Sequence, residues 1–176
     1  HKMAIVFQSY SLISHMTVFD NVALPLRVRG FSNDKIKKLV TKTLEWVGLG
    51  KFANMYPMEL SGGQQQRVSV ARAIIIQPEI LIADEPTGNL DDENGHAILN
   101  ILKKLSSDKL VIIVTHNQSQ VEPYITRKVR LHDGEVVSDE IINETSLNEI
   151  KPITKEEKKN INKVINFSFL NFKSQP

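Results

Sequence analysis

Three short stretches of this chain bring polar side chains together in a way that core packing does not require. The apolar run Ile80-Leu81-Ile82-Ala83 ends in Asp84-Glu85, and Val111-Ile112-Ile113-Val114 ends in Thr115-His116. Met3-Ala4-Ile5-Val6-Phe7 ends in Gln8. A carboxylate at a strand tip suits Mg²⁺ held largely through water, because that cation prefers oxygen and gives up its waters reluctantly. A second carboxylate beside it can orient or deprotonate an attacking water. A histidine nearby can donate to a phosphate oxygen. Taken singly, the same residues fit an acidic turn before Pro86, an exposed histidine and an ordinary glutamine. Their placement after three apolar runs is what favours chemistry.

A fourth stretch, Leu60-Ser61-Gly62-Gly63-Gln64-Gln65-Gln66-Arg67, supplies the complementary group. Ser61 and the glycines stand where a helix is expected to start. A helix start offers unpaired N–H groups and a partial positive charge, which together favour an anion. Glycine lets backbone approach a ligand closely. On this reading the glutamines need not face a core and are free for phosphate, ribose or a partner surface. The alternative is a glycine-rich cap on an ordinary helix.

The elements that would position these groups follow from hydrophobic spacing. Residues 3–7, the run from Glu79 to Ala83, and Leu110 to Val114 read as short buried strands. Ser32 is placed to cap a helix over 33–48, with Ile36, Leu39, Val40, Leu44 and Val47 at helical spacing and Gly48 and Gly50 ending it. Residues 17–29 mix apolar and polar positions, with Pro25 as a breaker. A helix is expected from Ser61 to about Ile76, stopped by Gln77-Pro78, and another over Glu93 to Leu105. Strand, helix, strand with continuously apolar strands predicts an α/β fold whose parallel sheet is covered on both faces. Ligands of such sheets sit at the carboxyl ends of the strands. Asp133-Gly134 between Val129–Leu131 and Glu135–Val137 predicts a hairpin.

Composition narrows the partners. The 176 residues hold 22 basic and 20 acidic side chains and no cysteine. Residues 151–176 carry six Lys and two Glu, leaving 16 basic and 18 acidic residues elsewhere, so the body is slightly acidic. That does not fit a basic nucleic-acid binder. A disulfide framework and a cysteine metal site are excluded. No apolar run approaches the roughly 20 residues that span a bilayer. Within 155–173, Ile161, Val164, Ile165, Phe169 and Phe172 share one helical face beside Lys158, Lys159 and Lys163. This suits an amphipathic helix at a membrane surface, or else a disordered tail or a helix packing on the rest of the chain.

The four stretches together resemble the ATP-binding cassette (ABC) ATPases. Leu60 to Arg67 resembles their signature motif, Ile80 to Pro86 their Walker B strand, and Asn89-Leu90-Asp91 their D-loop. Val114-Thr115-His116-Asn117 is similar to their switch histidine, and Phe7-Gln8 to their Q-loop. The resemblance implies a partial P-loop NTPase (RecA-like) parallel sheet core, an ABC α-helical subdomain and the C-terminal amphipathic extension. The parts would be 1–8 (strand and Q-loop), 9–76 (α-helical subdomain with the signature), 77–138 (core with Walker B, D-loop and switch) and 139–176 (extension). The cofactors implied are ATP and Mg²⁺. Asp84 and Gln8 would be on the metal, Glu85 would be the general base, and His116 the γ-phosphate sensor. Gln8 would also touch the nucleophilic water. Ser61, Gly62, Gly63 and Gln64 would clamp ATP held by an opposite subunit, with Asp91 a contact across that dimer. A transmembrane permease, as a separate subunit or a fused domain, would be the other partner, at the cytoplasmic face of a membrane.

Within the family, Gln8-Ser9-Tyr10-Ser11-Leu12-Ile13, His15-Met16-Thr17-Val18-Phe19-Asp20-Asn21-Val22 and Pro25-Leu26 look like the lipoprotein-release and macrolide-export branch. The ABC-type ATPases of nucleic-acid metabolism fit less well. They carry long coiled-coil or zinc insertions, whereas only 52 residues separate Gln8 from Ser61, without heptads or cysteine.

One family part is missing from the sequence. No GxxxxGK[ST] stretch occurs; at Gly50-Lys51, Glu45 stands in place of the first Gly and Phe52 in place of Ser or Thr. The aromatic residue that stacks on adenine is also not found. Seven residues precede Gln8, so the expectation is a chain cut from a longer one, binding ATP poorly by itself and not hydrolysing it. A non-catalytic gene fragment is the remaining alternative.

Overall fold

A computed structural model describes residues 2–142. The amphipathic stretch 155–173 lies outside the described residues.

Three parallel strands, β1 (Met3–Val6), β2 (Ile80–Asp84) and β3 (Leu110–Val114), form one sheet in the order β1-β2-β3. The register pairs Val6 with Ala83 and Ala83 with Ile113, so all three carboxyl ends emerge along one edge. Between β1 and β2 come α1 (Val18–Val28), α2 (Asn33–Trp46), two 3₁₀ turns (Gly50–Phe52 and Pro57–Glu59) and α3 (Gly62–Ile74). α4 (Asp92–Leu105) connects β2 to β3, and a short α5 (Gln118–Val121) follows β3.

The helices begin where side chains satisfy their open N–H groups. Thr17 caps α1 by accepting from Asp20 N, and Asp91 caps α4 by accepting from Asn94 N. Ser61 and Gln64 bond reciprocally at the start of α3, Ser61 Oγ accepting from Gln64 N and Gln64 Oε1 from Ser61 N. This is a capping box. Ser32 precedes α2 as expected but makes no side-chain cap bond. Gly48, at φ +74°, turns the chain away just past α2 in the left-handed conformation that glycine tolerates.

Pro25 does not break α1; it sits inside the helix. Val18, Val22, Ala23 and Leu26 are buried on one face of α1, and that packing outweighs the hydrogen bond that proline cannot donate.

α3 is shared by two apolar cores. Val68 and Ala71 pack with Val18, Val22 and Leu26 of α1 and Val40 and Leu44 of α2. Val70 and Ala73 pack with Val6, Leu81 and Ala83 of the sheet and Ile98, Leu99 and Leu102 of α4. The helices therefore cover one face of the sheet, the face of Val6, Leu81 and Ala83.

The expectation of cover on both faces is not met among the described residues. Met3, Ile5 and Phe7 of the first strand segment and Leu110, Ile112 and Val114 of β3 are 41–57% exposed. The unbroken apolar runs reflect two faces of like character, but the described helices reach only one of them.

Among the described residues, 126–142 form a separate compact unit. β4 (Arg127–His132) and β5 (Glu135–Ile141) make an antiparallel hairpin. Its two-residue turn is Asp133-Gly134, both at positive φ (+48° and +81°) as a type I′ turn requires. Arg127 and Asp139 pair across it.

Candidate functional site

Glu85 stands at φ +44°, in the left-handed region that a side-chain-bearing residue occupies only when its surroundings impose it. Its N–H donates to Val114 O at 2.8 Å, carrying the β2–β3 ladder one residue past the strand tips. This turn aims the carboxylate at β3. Oε1 accepts from the His116 N–H (2.8 Å) and lies 2.7 Å from His116 Nδ1, while Oε2 accepts from Thr115 Oγ1 at 2.9 Å. Burial pushes the Glu85 carboxyl up, but the bonds from His116 and Thr115 outweigh it and hold it below the ordinary range. Glu85 is thus an anion with its lone pairs engaged. It serves a water only by exchanging one of these donors for it. The His116 ring is the exchangeable one, since its side chain is 82% exposed.

Asp84, at the end of β2, is exposed, and its carboxylate makes no hydrogen bond or ion pair among the described residues. Gln8 lies beside the loop that follows Glu85. Its Nε2 donates to Asn89 Oδ1 at 3.4 Å, and Asn89 Nδ2 donates to Gln8 O at 3.3 Å. A Cβ on Gly88 would come 2.8 Å from Gln8 Nε2, so glycine there lets Gln8 lie close. The structure therefore brings Gln8, Asp84, Glu85 and His116 to one sheet edge, as the strand endings predict. No three His, Asp or Glu side chains gather into a closed metal cage among the described residues. The open carboxylate of Asp84 and the amide oxygen of Gln8 are hard oxygen donors of the kind that hold a hydrated Mg²⁺.

The second group, at the start of α3, shares no hydrogen bond with the strand-tip cluster among the described residues. Ser61 is exposed, Gly62 half-buried and Gly63 buried. A Cβ on Gly63 would overlap the Asn94 side chain, so packing against α4 explains that glycine. At Gly62 a Cβ would meet only the Tyr10 hydroxyl at 2.8 Å and Leu90 at 3.5 Å. Close approach of a ligand to bare backbone therefore falls to Gly62, since the Ser61 N–H is taken by Gln64 Oε1. Asp91 is exposed and spends its carboxylate on Asn94 N and Nδ2 (2.9 and 2.8 Å), which hold it below its ordinary value.

The three glutamines do not behave alike. Gln66 is 1% exposed, and its Nε2 donates to Pro86 O at 3.0 Å and Phe7 O at 3.5 Å. It faces the interior, against the expectation that this run is free of the core. The signal lay in the spacing: Gly63, Gln66, Val70 and Ala73 share one helical face. The contacts of three further residues escaped sequence reasoning. Arg72 donates to Tyr10 O and Ser11 O. Gln120 accepts from Thr87 Oγ1 at 2.7 Å, joining the loop after β2 to α5. Asn89 holds Gln8. Contacts over 33 to 81 residues of chain have no local signature.

Comparisons with known proteins agree with the fold. The profile of a family described as "ABC transporter" matches residues 1–88. The chain is 42% identical over 158 residues, 88% of its own length and 47% of the relative's, to the methionine import ATP-binding protein MetN of Carboxydothermus hydrogenoformans. It is 41% identical over 140 residues to the cell division ATP-binding protein FtsE of Streptococcus pneumoniae, covering 79% of this chain and 61% of that one. Among solved structures it superimposes on the dimeric bacterial ABC transporter cassette MJ0796 with a TM-score of 0.71 at 40% identity, covering 81% of this chain and 63% of the other. The same cassette in a post-hydrolysis state bound to ADP and Pi gives 0.70 at 39% identity. The chain spans about half to three-fifths of the length of these relatives.

Proposed function

The chain belongs to the ABC transporter family, and on that premise we propose that it acts as the ATP-binding, ATP-hydrolysing component of an ABC transporter. The observation that carries this reading is the Glu85 carboxylate, held ionised by Thr115 and His116 beside the open Asp84 and Gln8. Bound Mg²⁺–ATP would supply a polarised terminal phosphate whose developing charge the metal neutralises.

The chain's own residues divide the remaining work. Asp84 and Gln8 would hold the cation through oxygen. Glu85 turns from His116 to orient the attacking water and take its proton. The His116 ring, released from Glu85, would be free to donate to a phosphate oxygen. Ser61, Gly62, Gly63 and Gln64 present the open end of α3 to nucleotide carried by a second cassette, packed head to tail, with Asp91 meeting that cassette. The dimeric MJ0796 cassette supports such a pairing. The core around α1, α2 and the outer side of α3 supports residues 9–76 as a helical subdomain, set between core parts 1–8 and 77–138, with 139–176 as an extension. The stretch from Gln8 to Leu26 supports an export-type cassette. Its other partner would be a transmembrane permease, with the cassette at the cytoplasmic membrane face and no role for nucleic acid. Among the described residues no helix is long and apolar enough to cross a membrane.

The test is ATP hydrolysis by the protein as its gene encodes it. Glu85→Gln should lower turnover by about 10²–10⁴ and, with ATP, leave a long-lived dimer on a sizing column. Turnover unchanged in Glu85→Gln would remove the proposed chemistry.

A further inference from the structure

Tyr10 and Ser11 stand at φ +54° and +51°. Two successive residues with side chains hold this left-handed backbone only where the surroundings fix it. The fixing group comes from α3. Arg72 Nη1 donates to Ser11 O at 2.8 Å, and Nη2 donates to Tyr10 O at 3.2 Å. One guanidinium therefore grips both strained residues by their carbonyls. Further toward the start of the same helix, Gln66 Nε2 donates to Phe7 O and to Pro86 O. Gln8 lies between the two grips and is itself hydrogen-bonded to Asn89. At the helix start the Tyr10 hydroxyl lies near Gly62, where an added Cβ would come within 2.8 Å of it. The segment from Phe7 to Ser11 is thus hydrogen-bonded to α3 at two levels, with the Tyr10 hydroxyl lying close over the glycine end.

We propose that Arg72 and Gln66 are positioning residues for Gln8: they fix residues 7–11 to α3, so that a shift of the helix start bearing Ser61 and Gly62 re-aims the Gln8 side chain. A rigid fork suits this task, because it binds two carbonyls at once in a set geometry, whereas an ammonium is a point donor on a flexible stem. Gln66 extends the link to the other half of the strand-tip cluster, since Pro86 follows Glu85 directly. The catalytic meaning of re-aiming Gln8 rests on the function proposed above; the clamp does not.

The experiment uses the whole 176-residue chain without nucleotide. Amide hydrogen exchange is read for residues 8–12, and the Gln8 side-chain amide is followed by NMR. Arg72→Met keeps length and removes the donors, so exchange at residues 9–12 should rise about tenfold or more while β2 and α4 keep their protection. Arg72→Lys should give a smaller rise, and it carries the test if Arg72→Met does not fold. Gly62→Ala, which presses on the Tyr10 hydroxyl, should displace the Gln8 side-chain resonances. Combined with Arg72→Met or Arg72→Lys, that displacement should fall by more than half. Unchanged exchange at 9–12, an equal loss of protection throughout the chain, or a Gly62→Ala displacement indifferent to Arg72 would each overturn the proposal. None of these readings depends on ATP turnover, so an inactive enzyme with these responses would sink the function and leave the clamp standing.

Discussion

Gly63→Ala tests how the start of α3 is fixed. A Cβ there would overlap Asn94 Oδ1 and fall 2.5 Å from Asn94 Cγ and 2.9 Å from its Cβ. Rotating the Asn94 side chain removes the first two contacts. The third persists, because Asn94 Cβ is bonded directly to the backbone of α4, so the two helix starts must separate slightly. Rotation also breaks the Asn94 Nδ2 bond to Asp91 Oδ1, now 2.8 Å. A lost hydrogen bond of this kind costs about 1 kcal/mol, and residual overpacking about 2 kcal/mol more. Alanine's better helix propensity offsets up to about 1 kcal/mol. The net expectation is a loss of about 2 kcal/mol. The assay is urea unfolding followed by Trp46 fluorescence and far-UV circular dichroism. Removing the obstacle with Asn94→Ala should make the same substitution nearly neutral, for a coupling of at least about 1 kcal/mol in the double-mutant cycle. Strict additivity of the two changes would refute the claim that packing against α4 dictates this glycine. Gly62→Ala, which meets only the tip of Tyr10 and a Leu90 methyl, should cost less than about 1 kcal/mol.

His116→Ala removes one donor from Glu85, whose carboxyl should then move up toward the ordinary value of about 4.3 when followed by carboxyl ¹³C NMR. Because the folded value in the parent chain is depressed, its stabilising contribution is present above that ordinary value and lost as pH falls through the folded one. The variant should therefore lose less stability on acidification below about pH 4.5, and an acid limb as steep as the parent's would contradict the role of this bond. Pro25→Ala restores an N–H toward the Asn21 carbonyl inside α1 and should raise stability by about 1–2 kcal/mol after the gain in unfolded-state entropy is subtracted; a lower urea midpoint would count against it. The chain's sequence holds no GxxxxGK[ST] cradle, so calorimetry with Mg²⁺–ATP should give a dissociation constant no tighter than about 1 mM, and micromolar binding by the 176 residues would refute this.

Much of this protein was legible in its sequence because the signals are local. Three apolar runs specified three strands, and their polar endings placed Gln8, Asp84, Glu85 and His116 at one edge, since parallel strands necessarily end on the same side. Ser61 fixed the start of α3, and Asp133-Gly134 fixed the hairpin turn. Tertiary structure decided what those signals leave open. It kept Pro25 inside a helix, because burial of one face of α1 outweighs a missing bond. It turned Gln66 inward and took Gly63 for packing against Asn94, although both look like ligand groups in a polar, glycine-rich run. It bound Glu85 to His116 and gripped Tyr10 and Ser11 with Arg72, contacts between residues 31 to 62 positions apart. A chain can encode the spacing of neighbours along one helix or strand. Which distant carbonyl a buried donor finds is set only when two cores close on the two sides of α3.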